Sequence, residues 1–257
     1  PPPGPPPPAG PPPHPDRAPP LSFALDPPPE PPAAPTLPVL EPLEQMIPQA
    51  AWGLAGVQVA DDGTISVPDP AALDPKAPLG DRDLGGRPFT TWRLFLDAVA
   101  GRTAPIKLQL TGPLTLGLTL VQAGVAADLA FAVAGAAVST RAGDLLDLAD
   151  SKAPGVPVVL VCGGPGLAGG LRPEVPLVAD SVIDLLSGAL AAVEGRALTG
   201  VHCCGATDWR LLLQAGPQLL SLPVGADITG SAGALGAFLE RGGWVAWGAV
   251  ATNEPLG

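Results

Sequence analysis

Tyrosine is absent from this 257-residue chain, and lysine (three), cysteine (three), histidine (two) and methionine (one) are scarce. Three cysteines cannot build a disulfide framework and no secretory signal opens the chain, so a reducing cytoplasm is the expected location. Basic residues are few, 13 against 24 acidic ones for a net charge of -11, and they do not cluster. Nucleic acid and anionic membrane surfaces are therefore not expected partners. The longest nearly uncharged run, residues 114–138, is Ala-rich, carries glycines and is interrupted by Asp128. It reads as a buried helix and not as a membrane span. No G-x-G-x-x-G or P-loop motif follows any predicted strand, which removes the usual signature of a nucleotide site.

Proline, by contrast, is abundant and unevenly placed: 22 of the 37 fall within the first 48 residues. Proline removes backbone donors and breaks helices, so residues 1–38 read as an extended, polyproline-like or disordered segment. A ligand for a proline-recognition domain is the functional alternative. The remaining residues, 39–257, are long enough for one large domain.

Within that domain Leu43, Met46, Ile47 and Ala50 recur at helical spacing, with Pro48 limiting the helix. Two short alternating runs, 57–60 and 64–67, flank Asp61-Asp-Gly63 and predict a hairpin. Residues 89–100 read as an amphipathic helix with Trp92, Phe95, Leu96 and Val99 on one face. From there strands (106–110, 156–161, 198–203, 219–224, 244–250) alternate with helices (from 114, 124–149, 175–193, 209–215, 232–241). Short Gly-rich loops join them. This order predicts an α/β fold with a parallel sheet, and strand count and length favour a (β/α)8 TIM-type barrel over a doubly wound sheet.

The most distinctive stretch is Thr199-Gly-Val-His-Cys-Cys-Gly-Ala-Thr-Asp-Trp209 at a predicted strand exit. His202 and Cys204 stand two apart, and on an extended strand such residues point to one face. An imidazole nitrogen and a thiolate form a donor pair that zinc favours. The alternative reading makes Cys203 and Cys204 small buried hydrophobes and His202 a strand cap. Gln109, Thr111 and Cys162 also fall at predicted strand ends, where a barrel carries its chemistry. Gln109 and Thr111 are candidate substrate contacts. Asp208 and Thr207 read as helix caps.

Three segments in order, Lys107-Leu-Gln-Leu-Thr-Gly-Pro-Leu-Thr115, Val201-His-Cys-Cys-Gly205 and Gly242-Gly-Trp-Val-Ala-Trp-Gly248, resemble successive strand ends of the cobalamin-independent methionine synthase and uroporphyrinogen decarboxylase-like superfamily. The likeness spans residues 37–257. In addition, Gly10-Pro-Pro-Pro-His-Pro-Asp16 is similar to the Gly-Ser-x-Pro-His-x-Asp start of many members, which makes His14 a candidate substrate contact. The resemblance implies a (β/α)8 barrel. In the methyltransferase branches it implies zinc, held by the His-x-Cys pair and a later cysteine, activating a substrate thiol toward a methyl donor. His202 and Cys204 would then be zinc ligands, and the partners a homocysteine-like thiol and a methyl donor.

Against that pattern, no cysteine follows Cys204, and Cys162-Gly-Gly-Pro165 stands where many members carry Asp-Glu-Pro. Proline occupies the region of the first strand and helix, so the barrel is expected to be incomplete at both ends. An open edge of that kind calls for a protein partner to cover it. Cys162, at the tip of the strand preceding that of His202, is the candidate third ligand, since adjacent strands lie about 4.8 Å apart. Three functions follow as expectations: a zinc-dependent methyltransferase-like protein, a catalytically degenerate barrel serving as a binding or assembly module, and a metal-free decarboxylase-like relative.

Overall fold

The computed structural model describes Leu25, residues 31–169 and residues 177–248. The chain is mixed α/β. A small antiparallel hairpin, β1 (Gln58–Val59) and β2 (Ile65–Ser66), precedes a five-stranded parallel sheet of β3 (Ile106–Thr111), β4 (Val158–Gly163), β5 (Leu198–His202), β6 (Leu219–Pro223) and β7 (Trp244–Gly248). The five strands lie side by side in chain order, without reversal. The helices are α1 (Met46–Ala51), α2 (Thr90–Ala98), α3 (Pro113–Gln122), α4 (Ala127–Lys152), α5 (Ala179–Ala191), α6 (Trp209–Gln214) and α7 (Ala232–Glu240). Crossovers between parallel neighbours are right-handed almost without exception, so strands added in one direction place their helices on one face. Consistently, α3 packs on α4, α4 on α5, α5 on α6 and α6 on α7.

The pleat sorts the side chains. Ile106, Leu108 and Leu110, then Val158, Leu160 and Cys162, then Val201, then Leu220 and Leu222 are buried against the helices. Trp92, Phe95 and Leu96 of α2 and Leu145 and Leu146 of α4 cover the β3–β4 half. Leu114, Phe131, Leu186, Trp209 and Phe238 cover the β4–β6 half. Each such side chain, fully buried, contributes about 1.5–3 kcal/mol, which makes this face the main source of stability. The strands alternate where the sequence places polar residues at every second position of β3. At α3, Gly117 lets Phe131 approach so closely that an added Cβ would stand 2.2 Å from its ring.

The final residues of the proline-rich stretch belong to the packed fold. Lys107 N donates to Pro32 O and Ala34 N donates to Lys107 O, extending the sheet beyond β3 by one parallel bridge at Ala33. Leu37 is fully buried, and its N–H donates to Glu44, whose buried carboxylate also accepts from the N–H and hydroxyl of Thr91 at the start of α2. Hydrogen bonds to a charged group contribute about 1.5–3 kcal/mol, so this carboxylate ties the entry segment to α2. The described residues do not close the sheet into an eight-stranded barrel.

Helix α4 is long and apolar enough to cross a membrane by length and composition, and 56% of its most apolar window is buried within the fold. It spans Ala127–Lys152, and the uncharged run 114–138 is divided between it and α3 by a turn at Gly124, where φ is +94°.

Candidate functional site

The sheet face turned away from the helices carries Lys107, Gln109 and Thr111 on β3, Val159, Val161 and Gly163 on β4, Gly200 and His202 on β5, and Ser221 on β6. Strand register aligns Thr111 with Gly163, Gly163 with His202, and His202 with Ser221, so one row crosses four strands at their carboxyl ends. Gly163 is required in that row: a Cβ there would lie 3.0 Å from His202 O and 3.3 Å from its Cβ. The ring of His202 is half-buried, and its Nδ1 stands 2.9 Å from Ser221 Oγ. Burial, assisted by the positive charge of Lys107, lowers its pKa to about 4, so the imidazole is neutral at neutral pH. Lys107 is itself desolvated, which lowers its ammonium to about 8. Among the described residues, its Nζ has neither a hydrogen bond nor an ion pair.

The predicted metal ligands are not gathered by this arrangement. Cys162 aligns with Val201, not with His202, and lies on the helix-facing side in the apolar cluster of Leu114, Phe131 and Leu186. Its thiol is pushed up to about 12 by burial, the opposite of what a thiolate ligand needs. The physical reason is the pleat: neighbouring strand tips are close, but alternate residues point to opposite faces. Cys203 shares the helix-facing core, its thiol also raised by burial and donating to Gly205 O at 3.4 Å. Strand β5 ends at His202, and Cys204 is exposed beyond it. Among the described residues, no three His, Cys, Asp or Glu side chains are placed to share a metal ion.

The other candidates divide as follows. Gln109 and Thr111 share the face of His202, although the Thr111 hydroxyl is engaged in donating to Met46 O at 2.8 Å. Asp208 caps α6, accepting from the N–H groups of Arg210 and Leu211, as its position suggested. Asp227, the first carboxylate after β6 and not among the sequence candidates, accepts from Thr229 N and Oγ1, and these bonds hold its carboxyl below the ordinary value. It is committed to its own turn. His14 lies outside the described residues.

Two residues of this face were not singled out from the sequence: Lys107, near the amino end of β3, and Ser221, in the row at the carboxyl ends. Lys107 is one of three lysines, and the alternation of Ile106-Lys-Leu-Gln-Leu110 already places it on the face of Gln109. Ser221 carried no comparable signal; only the β5–β6 register brings it to His202. Chemically, the face offers a desolvated cation, a neutral imidazole whose Nε2 has no partner among the described residues, an amide and a hydroxyl. It can hold an anionic or hydrogen-bonding small molecule. In comparison with known proteins, the chain matches no family model and no curated sequence.

Proposed function

We propose that this chain is a barrel-type α/β protein of the methionine synthase and uroporphyrinogen decarboxylase-like kind that works as a binding module, taking a small carboxylate-bearing molecule on its polar sheet face. The observation that carries this reading is Lys107, a desolvated ammonium without a carboxylate beside it among the described residues, facing the same side as Gln109 and His202. An uncompensated cation in such a place is costly, and a ligand anion offsets that cost. The site lies along parallel strands in chain order, with His202 and Ser221 at the carboxyl ends, where α/β proteins place their ligands.

Zinc does not fit the donors in hand. His202 and Cys204 supply two, and Cys162 points into the opposite layer. One observation favours the thiol-activating methyl-transfer reading as a second possibility. His202 is neutral and its Nδ1 is paired with Ser221 Oγ; in the tautomer in which Nδ1–H donates to that oxygen, the Nε2 lone pair faces outward, an arrangement shared with metal-bound histidines. That reading requires a third ligand from outside the described residues.

Calorimetric titration with a panel of small mono-, di- and tricarboxylates, together with zinc content per chain, separates the two. The binding reading expects a carboxylate whose affinity falls at least about tenfold in Lys107→Met, equivalent to 1.4 kcal/mol or more. Near-stoichiometric zinc that disappears in both His202→Ala and Cys204→Ser, with no carboxylate bound, would overturn it in favour of methyl transfer.

A further inference from the structure

Arg141 of α4 is buried, with 4% of its surface exposed, in the layer between α1, α2 and α4. Its Nη2 donates to Trp52 O at 2.7 Å, while Nε and Nη1 are buried without a hydrogen-bond partner among the described residues. The guanidinium carbon sits 5.1 Å above the Phe89 ring, which compensates only part of the charge. Asp144 and Asp81 offset part of the charge from a distance, less than burial costs it, and neither forms an ion pair with it among the described residues: Asp144 is engaged with Arg82, and Asp81 presents its backbone oxygen to Arg141 at 3.5 Å.

The group lines a cavity with about 20 Å³ of free room, together with Gln49, Phe89, Trp92, Thr111 and Val138. Gln49 commits one amide hydrogen to Pro88 O at 2.7 Å, leaving its second amide hydrogen as a further donor. Room on that scale admits one water-sized species and excludes phosphate, sulfate or an organic acid. A water would satisfy a donor but leave the charge, whereas a monatomic anion answers both.

We propose that this cavity is a structural halide site, in which a chloride-class anion bound by Arg141 Nε and Nη1 joins α4 to the α1–α2 layer. It shares Thr111 with the face that carries Lys107 but uses a different cation, and carboxylate binding at Lys107 can fail without affecting it.

Crystals of the unmodified protein grown in sodium bromide test the site directly. The expected result is an anomalous peak within hydrogen-bonding distance of Arg141, and water-like density without that signal would overturn the proposal. In solution, thermal unfolding is followed in sodium chloride against sodium methanesulfonate, a larger anion without a carboxylate, at matched ionic strength. Stabilisation by roughly 5 °C is expected once chloride reaches about a hundred times its Kd. Arg141→Met should lose this dependence. Identical curves in the two salts for the unmodified protein would also refute the site, whether or not the variant folds.

Discussion

His202 Nδ1 lies 2.9 Å from Ser221 Oγ, so a side-chain hydrogen bond joins the carboxyl ends of two neighbouring parallel strands. That bond holds the ring over Gly163, where burial and the charge of Lys107 keep it neutral. The folded pKa of about 4 lies below the ordinary 6.5, so between these values the unfolded chain binds the extra proton. The contribution of His202 is therefore complete above about pH 6.5 and is lost as the pH falls toward 4. Its full size is on the order of 3 kcal/mol, reduced by the ring's residual exposure. Urea unfolding of the parent and His202→Gln at pH 7 and pH 5 checks this. The parent should lose more stability than the variant, and equal losses would place the ring in a solvated setting.

Lys107 obeys the same sign in a different window. Its folded value of about 8 lies below the ordinary 10.5, so stability rises as the pH climbs between the two and the unfolded chain releases its proton. Cys162 and Cys203, whose thiols burial raises, act in the opposite sense above about pH 9, so the effect of Lys107 is read as the difference between the parent and a Lys107 variant. Lys107→Met should stabilise the ligand-free protein at pH 7 by about 1–2 kcal/mol, and that advantage over the parent should shrink as the pH climbs from about 8 to 10.5. A destabilised variant would mean that the ammonium has a compensating partner.

Packing at the α3–α4 contact leaves no room at Gly117. Gly117→Ala should cost about 1–3 kcal/mol, because its Cβ would stand 2.2 Å from the Phe131 ring, and Phe131→Leu in the same chain should recover part of that loss. Gly143 on α4 meets nothing within 4 Å, and Gly143→Ala there should stabilise by about 0.5–1 kcal/mol. Chemical denaturation of the two single variants and the Gly117→Ala/Phe131→Leu double variant reads both signs.

Much of the sheet is legible because its cause is local. The β3 alternation of Ile106, Leu108 and Leu110 with Lys107 and Gln109 matches the observed layers, and the apolar run ending at Cys162 forms β4 as a buried parallel strand. The expected exit turn at Cys162 begins two residues later, since Cys162 and Gly163 continue the ladder to Val201 and His202. The helix around Met46 is only six residues long, with Pro48 inside its first turn. The packing of residues 31–37 was not legible: proline suggests a segment without partners, yet Lys107 bonds Pro32 and Ala34, and Glu44 receives Leu37.

The sequence by itself determined the elements and the alternation of the β3 side chains, because helix period, strand period and proline act within a few residues. Only the tertiary structure decided which strand tips share a row. Cys162 lies on the strand next to that of His202, but a one-residue difference in register sends the thiol into the core and brings Ser221 to the imidazole instead. The same holds for Arg141, whose position in a helix says nothing of the charge-poor cavity that α1 and α2 close around it.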